Sequence, residues 1–316
     1  MKYAPECCSH RRQTREMQAN AESLTQTAVA EKGWAAVYAD LIKARLTTLV
    51  LLTTLVGFYM GCSAPMNYLL MFHALLGTAL VASGAAALNQ LLEREYDARM
   101  RRTASRPLPS GRLQPATVMI FGGVCSLVGT IYLAVLVNSL TAVLGAISLV
   151  SYLFIYTPLK RITWLNTAVG AIPGALPPLM GWTAARGNLE GGGWALFAIL
   201  AFWQMPHFFA IAWLYRDEYA KAGFKMLPAF DPDGTRTGQQ AVGHTFGLLP
   251  VSLCPFLFGL AGPVYLVAAL VLGLAYFGCA VQFAKRLDTP SAKKLFFASI
   301  IYLPLLLIAL VADKVR

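Results

Sequence analysis

The sequence predicts an all-α, polytopic membrane protein, and three observations carry that prediction. Of 316 residues, 57% are hydrophobic and only 13% charged, about half the charged share of soluble domains. Mean hydropathy is +0.57. The apolar residues also fall in blocks of about 20, the helical length that crosses a hydrocarbon core roughly 30 Å thick. These features exclude a secreted disulfide scaffold, a disordered chain and an ordinary soluble domain. A net charge of +11 would suggest nucleic acid in a soluble protein. In a membrane protein its placement matters more than its total, and no nucleic-acid partner is expected.

Nine transmembrane helices are expected, at about 46–64, 69–88, 116–138, 139–157, 167–185, 193–214, 243–262, 263–283 and 295–312. Short connections such as Cys62–Tyr68, Asn138–Ser139 and Gly262–Pro263 lie on one side, and the longer ones, 89–115, 158–166, 215–242 and 284–294, on the other. The longer side, together with the N-terminus, holds 23 of the 26 Lys and Arg and 13 of the 15 acids. The positive-inside rule then puts the N-terminus in the cytoplasm and the C-terminus outside. Residues 1–33 have no apolar h-region. They carry Glu6, Glu16, Glu22 and Glu31 beside Arg11, Arg12 and Arg15, unlike an acid-poor transit peptide. The expected organisation is a cytoplasmic tail over 1–37, a transmembrane domain over 38–316, and a bacterial inner membrane as its home.

The six cysteines form no CxxC pair, and four of them (Cys62, Cys125, Cys254 and Cys279) sit in apolar runs, where a free thiol packs as a small apolar side chain. Cys7, Cys8 and His10 lack a second ligand cluster. No Asp, Glu, Lys or Arg lies in the middle of a span, which argues against a channel or an inverted-repeat transporter. The polar chemistry belongs at the membrane surface, opening into an apolar interior.

The stretch ALNQLLEREYDARMRRTASRPLPSGRL continues the second span beyond the membrane. Asn89, Glu93 and Asp97 are spaced i, i+4, i+8, on one helix face. Magnesium takes oxygen ligands, and it bridges to substrate phosphates while keeping several waters. Arg101, Arg102 and Arg106 follow, with guanidinium forks that match phosphate oxygens. The spacing also fits a solvated helix paired as Glu95–Arg99 and Asp97–Arg101. Asp217 and Glu218 form a second acidic pair after span six; they are candidates for a second metal site or a surface pair balanced by Arg216. In span five, Gly170, Pro173, Gly174, Pro177, Pro178 and Gly181 predict irregular backbone that lines a cavity. Phe202, Trp203, Phe208, Phe209, Trp213 and Tyr215 crowd the end of span six, as a cation-stabilising lining or as membrane core.

Four stretches, NQLLEREYDARMRRTASRPLPSGRL, YTPLKRITWLNTAVGAIPGALPPLMGW, FWQMPHFFAIAW and EYAKAGFKMLP, resemble the signatures of the protohaem IX farnesyltransferase (haem O synthase) family. That family lies within the UbiA-type intramembrane prenyltransferases, and the resemblance spans about residues 38–310. It implies a nine-helix UbiA-type bundle with a cavity open to the cytoplasm. It also implies transfer of farnesyl from farnesyl diphosphate to the 2-vinyl group of haem B, with addition of water. The product, haem O, serves terminal oxidases directly or as a precursor of haem A, so haem A synthase or oxidase assembly are the implied partners besides the lipid bilayer. By the same resemblance Asn89, Glu93 and Asp97 are the magnesium–diphosphate cluster, and Arg102 and Arg106 clamp the diphosphate. Arg101, Lys43, Lys160 and Arg161 add basic contributions, and His207, Trp203 and Tyr215 contact haem.

The chain departs from the family pattern at three places. Glu218-Tyr219, preceded by Asp217, stands where the family has Asp-Tyr, which leaves open which acid binds metal. Lys225 replaces a proline, and Ala44 stands between Lys43 and Arg45 where the family has Lys-Pro-Arg. His207 lies about two turns, roughly 10 Å, below the surface, and suits an axial iron ligand or a hydrogen-bonding role equally. A quinone-precursor or tetrapyrrole-acid prenyltransferase of the same superfamily, or a non-catalytic haem-handling assembly protein, remain as competing readings.

Overall fold

Nine long helical segments among the described residues occupy the positions predicted for spans. The structure is a computed structural model describing residues 33–63 and 65–315; Cys7, Cys8, His10 and most of the expected tail lie outside them. The chain divides between Asp40 and Leu41 into two units. The described part of the first belongs to α1 (Trp34–Leu41), an Ala- and Leu-containing run that turns helical before the expected end of the tail.

The second unit holds α2 (Ala44–Gly61), α3 (Tyr68–Asp97), α4 (Pro115–Leu136), α5 (Ser139–Leu159), α6 (Asn166–Arg186), α7 (Gly191–Leu214), the short α8 (Arg216–Ala222), α9 (Thr235–Leu257), α10 (Pro263–Arg286) and α11 (Thr289–Ala312). Among the described residues, seven helices are long and apolar enough to cross a membrane: α2, α3, α4, α5, α7, α10 and α11. α6 and α9 fall short by composition. α6 carries three prolines and is mostly buried by its neighbours. α9 begins with the polar run TRTGQQ, held by Asp231 Oδ2, which accepts from the Thr237 backbone N–H at 2.7 Å and its hydroxyl at 2.8 Å.

One predicted long connection does not exist. α10 runs to Arg286 and α11 starts at Thr289, so the expected loop over 284–294 reduces to Leu287 and Asp288. Leu287 takes a left-handed conformation (φ 50°). Asp288 caps α11 through the Ser291 backbone N–H at 2.8 Å.

Small residues set the closest crossings, as expected where lipid provides no hydrophobic drive between helices. A Cβ at Gly57 would meet the Pro178 backbone, and one at Gly181 would meet the Thr54 and Phe58 backbone, so α2 and α6 touch main chain to main chain. Gly84, Gly122 and Gly129 bring α3 and α4 together in the same way.

Despite its breakers, α6 is continuous helix over Asn166–Arg186, which corrects the expected irregular backbone. Pro177 has no N–H to give the Pro173 carbonyl, and Ser148 Oγ supplies a donor there at 3.4 Å.

Candidate active site

The C-terminal turns of α3 present Asn89, Glu93 and Asp97, only 0%, 3% and 1% exposed. A cation from a different part of the chain meets each one. Lys43 Nζ donates to Asn89 Oδ1 at 2.7 Å, Lys160 Nζ to Glu93 Oε1 at 2.8 Å, and Arg106 Nη1 to Asp97 Oδ2 at 2.6 Å. Asp97 therefore pairs with Arg106, and Arg101 is exposed. Buried carboxylates require such partners, because an unpaired charge away from water is very costly.

Lys43 reaches Asn89 from an unusual backbone state. It lies immediately before α2 with φ 51° and ψ 54°, a left-handed conformation that disfavours a residue with Cβ. Its bonds to Asn89 and, at 3.4 Å, to the Tyr152 hydroxyl hold it there. Ala44 takes the first helical position, where proline is also accommodated, so the departure from Lys-Pro-Arg leaves the local geometry intact. Burial, and after it the Arg106 guanidinium, bring the Lys43 ammonium down from 10.5 to about 7. Burial also works against the charge on Lys160, but Glu93, Tyr156 and Tyr152 outweigh it and hold that ammonium above the usual lysine range.

The end of α5 contributes two tyrosines that the sequence reading missed. Residues Ser151–Tyr156 form a π-helical turn, and the Thr157 N–H donates to the Tyr152 carbonyl. Such turns recur at functional sites because the extra residue re-aims side chains. Here Tyr152 and Tyr156 stack, with centroids 5.5 Å apart. The Tyr152 hydroxyl donates to Asn89 Oδ1 at 3.2 Å. Asn89 Nδ2 in turn donates to Thr157 Oγ1 at 3.1 Å, which fixes the amide with its oxygen towards Lys43.

α8 and the segment after it cover this cluster. Tyr219, Ala222, Phe224 and Met100 form a buried apolar group. The Tyr219 hydroxyl accepts from Arg102 Nη2 at 3.0 Å, and burial raises its pKa. The Arg102 guanidinium lies 5.3 Å from the Tyr215 ring and 5.7 Å from that of Tyr219. Lys160 sits 4.4 Å from the Tyr156 ring and 5.9 Å from Phe224. The Lys225 N–H donates to the Lys160 carbonyl at 2.7 Å; a proline at 225 has no N–H to make that bond. Asn166 Nδ2 donates to the Lys225 carbonyl at 2.9 Å.

A cavity of about 400 Å³ runs from this cluster into the bundle. Lys43, Glu93, Asp97, Arg102, Arg106, Tyr152, Tyr156, Lys160 and Tyr219 line its polar part. Thr47, Thr53, Gly170, Pro173, Gly174, Leu200, Trp203, Gln204, His207, Phe208 and Leu303 line the rest. α6 is thus a cavity wall, though a helical one.

Several expected site residues are not brought into the cavity lining, Asn89 among them: it is fully buried, and its Oδ1 accepts from Lys43 and Tyr152. Arg101 points outward. Arg161 stacks on Tyr96 at 4.5 Å. The Asp217 side chain is 83% exposed beside Arg216, and neither it nor Glu218 lines the cavity, so the expected second acidic pair does not face the first. Tyr215 lies outside the lining and reaches the site only through Arg102. Among the described residues no three His, Cys, Asp or Glu side chains cluster as a metal site. The carboxylates that line the cavity are Glu93 and Asp97.

In the apolar part, the His207 ring stacks between Trp203 (centroids 5.5 Å) and Phe296 (5.0 Å), with Nδ1 2.7 Å from Ser299 Oγ. Trp203 Nε1 donates to the Ser299 carbonyl at 2.8 Å. His73 bonds the Tyr132 hydroxyl and His244 a carbonyl of its own helix; neither lines the cavity.

Comparison with known proteins gives the family and the fold. The profile of the UbiA prenyltransferase family matches residues 50–301. The chain is 46% identical over 286 residues to a protoheme IX farnesyltransferase of Solibacter usitatus, covering 88% of this chain and 98% of the relative. It is 43% identical over 305 residues to one of Myxococcus xanthus, covering 95% and 99%. Among solved structures, a digeranylgeranylglyceryl phosphate synthase superposes with a TM-score of 0.75 at 16% identity, over 88% of this chain and 98% of that one. A UbiA homolog from Archaeoglobus fulgidus bound to DMAPP and Mg2+ gives 0.62 at 17% identity, over 87% and 99%. These two likenesses speak to the fold. The chain belongs to the UbiA prenyltransferase family and is a prenyltransferase, similar over most of its length to relatives named protoheme IX farnesyltransferase.

Proposed function

We propose that the protein transfers the farnesyl group of farnesyl diphosphate to the 2-vinyl group of haem B with addition of water, giving haem O and diphosphate. The observation that carries this reading is one continuous cavity with two chemistries. Its polar end gathers Lys43, Arg102, Arg106 and Lys160 with Glu93 and Asp97, and its interior is apolar and aromatic around Trp203 and His207. A prenyl diphosphate has the same division, with a charged head and a hydrocarbon tail. The names of the relatives supply the porphyrin acceptor.

The donor set fits magnesium. Glu93 and Asp97 offer hard oxygens to the cavity from one helix face, while Asn89 Oδ1 on the same face is engaged by Lys43 and Tyr152. Among the described residues, each carboxylate has only one oxygen tied up, by Lys160 and by Arg106. Two carboxylates leave room for the phosphate oxygens and waters that magnesium keeps. The ion would be held there and would neutralise charge on the departing diphosphate. Lys43, Lys160, Arg102 and Arg106 bind and orient the same head group by charge-assisted hydrogen bonds. The apolar walls keep bulk water from the allylic carbon, and Trp203 and His207 lie against the porphyrin.

The protein sits, in this reading, in a bacterial inner membrane with nine spans. The acid-and-cation end faces the cytoplasm, as the concentration of 23 of 26 Lys and Arg on that side supports. Downstream, a terminal oxidase or a haem A synthase receives the product.

Purified protein in lipid, supplied with farnesyl diphosphate, haem B and magnesium, tests the proposal by the mass of the porphyrin product. Hydroxyethylfarnesyl haem that is lost in Asp97→Ala is the expected result. Unmodified haem, with a quinone precursor prenylated in its place, refutes the acceptor. No transfer to any acceptor from an intact preparation refutes the reaction.

A further inference from the structure

Gln204 and His207 stand one turn apart on α7, and both line the apolar part of the cavity. Gln204 is 4% exposed. Its neighbour at 2.8 Å is the Ala171 carbonyl, which only accepts, so the group facing it is Nε2 and the amide oxygen points the other way. That oxygen lies over Gly174, where a methyl group would overlap it. The missing side chain at Gly174 is what leaves it room. Among the described residues no protein donor reaches Gln204 Oε1, and the oxygen is not sealed within the protein, so it is an acceptor open to the cavity.

The tautomer of His207 follows from a similar count. The Ser299 hydroxyl has one hydrogen and gives it to the Phe296 carbonyl at 2.5 Å. With that hydrogen so placed, its oxygen accepts at 2.7 Å from His207 Nδ1, and the ring hydrogen is assigned to Nδ1. Nε2 is left with a lone pair. Stacking between Trp203 and Phe296 holds the ring in plane.

Two acceptors thus share one helical turn, where Cβ atoms three positions apart are about 5–6 Å from each other. Water is the molecule that satisfies both at once. It donates one hydrogen to each and keeps a lone pair for the cavity.

We propose that Gln204 and His207 hold the water consumed in the transfer reaction and that His207 Nε2 takes its proton. The proposal rests on the haem farnesylation put forward above. The vinyl π-electrons form the new carbon–carbon bond as the farnesyl C–O bond breaks, and diphosphate leaves with that bond's electron pair. The resulting cation sits on the vinyl carbon attached to the porphyrin ring. The water oxygen forms a C–O bond to that carbon, one O–H bond breaks with its electrons staying on oxygen, and the proton passes to Nε2. Ser299 is a positioning residue, acting only through the imidazole.

The test is product partition in lipid-embedded protein given farnesyl diphosphate, haem B and magnesium. Gln204→Leu removes the acceptor while keeping the bulk. The hydroxylated product should give way to a farnesylated porphyrin lighter by one water, with the ratio shifted about tenfold, the effect of losing one hydrogen bond. Gln204→Glu retains a side-chain oxygen at that position and should restore the hydroxylated product, which a purely structural role for Gln204 does not predict. Ser299→Ala should shift the ratio in the same direction as Gln204→Leu. Wild-type protein that makes hydroxyethylfarnesyl haem, with the same product ratio in Gln204→Leu, overturns the water site alone. Wild-type protein that leaves haem unmodified overturns the acceptor assignment and the water site with it.

Discussion

Lys160→Met should unfold the protein more easily by about 3 kcal/mol, and the buried geometry sets the size of that effect. Lys160 Nζ and Glu93 Oε1 are 2.8 Å apart, with side chains 12% and 4% exposed. Two unit charges at that distance attract by about 6 kcal/mol at an effective dielectric near 20, and the loss of their hydration offsets much of this. Truncating one partner leaves a charge uncompensated, which costs about 3–5 kcal/mol. The lower end applies here because Lys43 and Arg106 stand near Glu93. Glu93→Gln should cost less, about 2 kcal/mol, since the faces of Tyr156 and Phe224 still attract the stranded ammonium. The double variant Lys160→Met/Glu93→Gln buries no unpaired charge. It should be more stable than the sum of the single effects by about 2 kcal/mol or more. Reversible denaturation in mixed micelles measures all four proteins, and prenyl transfer assayed in parallel should fall in every variant. Single effects that add to within about 0.5 kcal/mol would refute the claim that this pair is a coupled, buried unit.

Two other predictions concern packing and pH. Gly181→Ala places a methyl against the Thr54 and Phe58 backbone, where no flexible atom can give way. It should cost about 1–3 kcal/mol and, by displacing α2, weaken prenyl transfer, measured by thermal unfolding and by kcat/KM. Asp288 has its carboxyl held below the ordinary value of 3.8 by hydrogen bonds from the Ser291 hydroxyl and backbone N–H. Its contribution is full above that value and disappears as pH falls through the lower folded value. Wild type and Asp288→Ala should therefore differ in unfolding temperature at neutral pH and converge in strong acid; a gap that persists there refutes the cap.

The positions of the long helices and the Asn-Glu-Asp face were legible because each is carried by a pattern within one short stretch of chain. The partners of that face were not, because Lys43 and Lys160 approach Asn89 and Glu93 from 46 and 67 residues away, and spacing says nothing about contacts of that range. Asp217 misled for a local reason. Residues two apart on a helix point about 200° from each other, so only one of Asp217 and Tyr219 can face the cavity. Tyr219 and Ala222 pack on Met100 and Phe224, and that apolar contact turns the acid outward. Arg101 and Arg102 follow the end of α3 in a turn, and only Arg102 lines the cavity. Tyr152 and Tyr156 depend on a π-helical turn, which leaves no pattern in hydrophobic periodicity.

The three cation–oxygen pairs explain how so much charge persists at the edge of an apolar bundle. Glu93 and Asp97 are almost fully buried, and in an unpaired state either would be neutralised or would unfold the site. Lys160 and Arg106 neutralise them, and Lys43 is added against a neutral amide, so the set carries more positive charge than negative before Arg102 is counted. That excess is a standing demand for an anion. Lys43 feels it most: its ammonium is brought to about 7 by burial and by Arg106, and it adopts a left-handed backbone to reach Asn89. An arriving diphosphate offers Lys43 and Arg102 a partner of opposite charge that Asn89 and Tyr219 do not supply. The cluster is therefore stable enough to fold empty and unbalanced enough to bind, and the imbalance comes from pairing an amide, not a third carboxylate, with the first lysine.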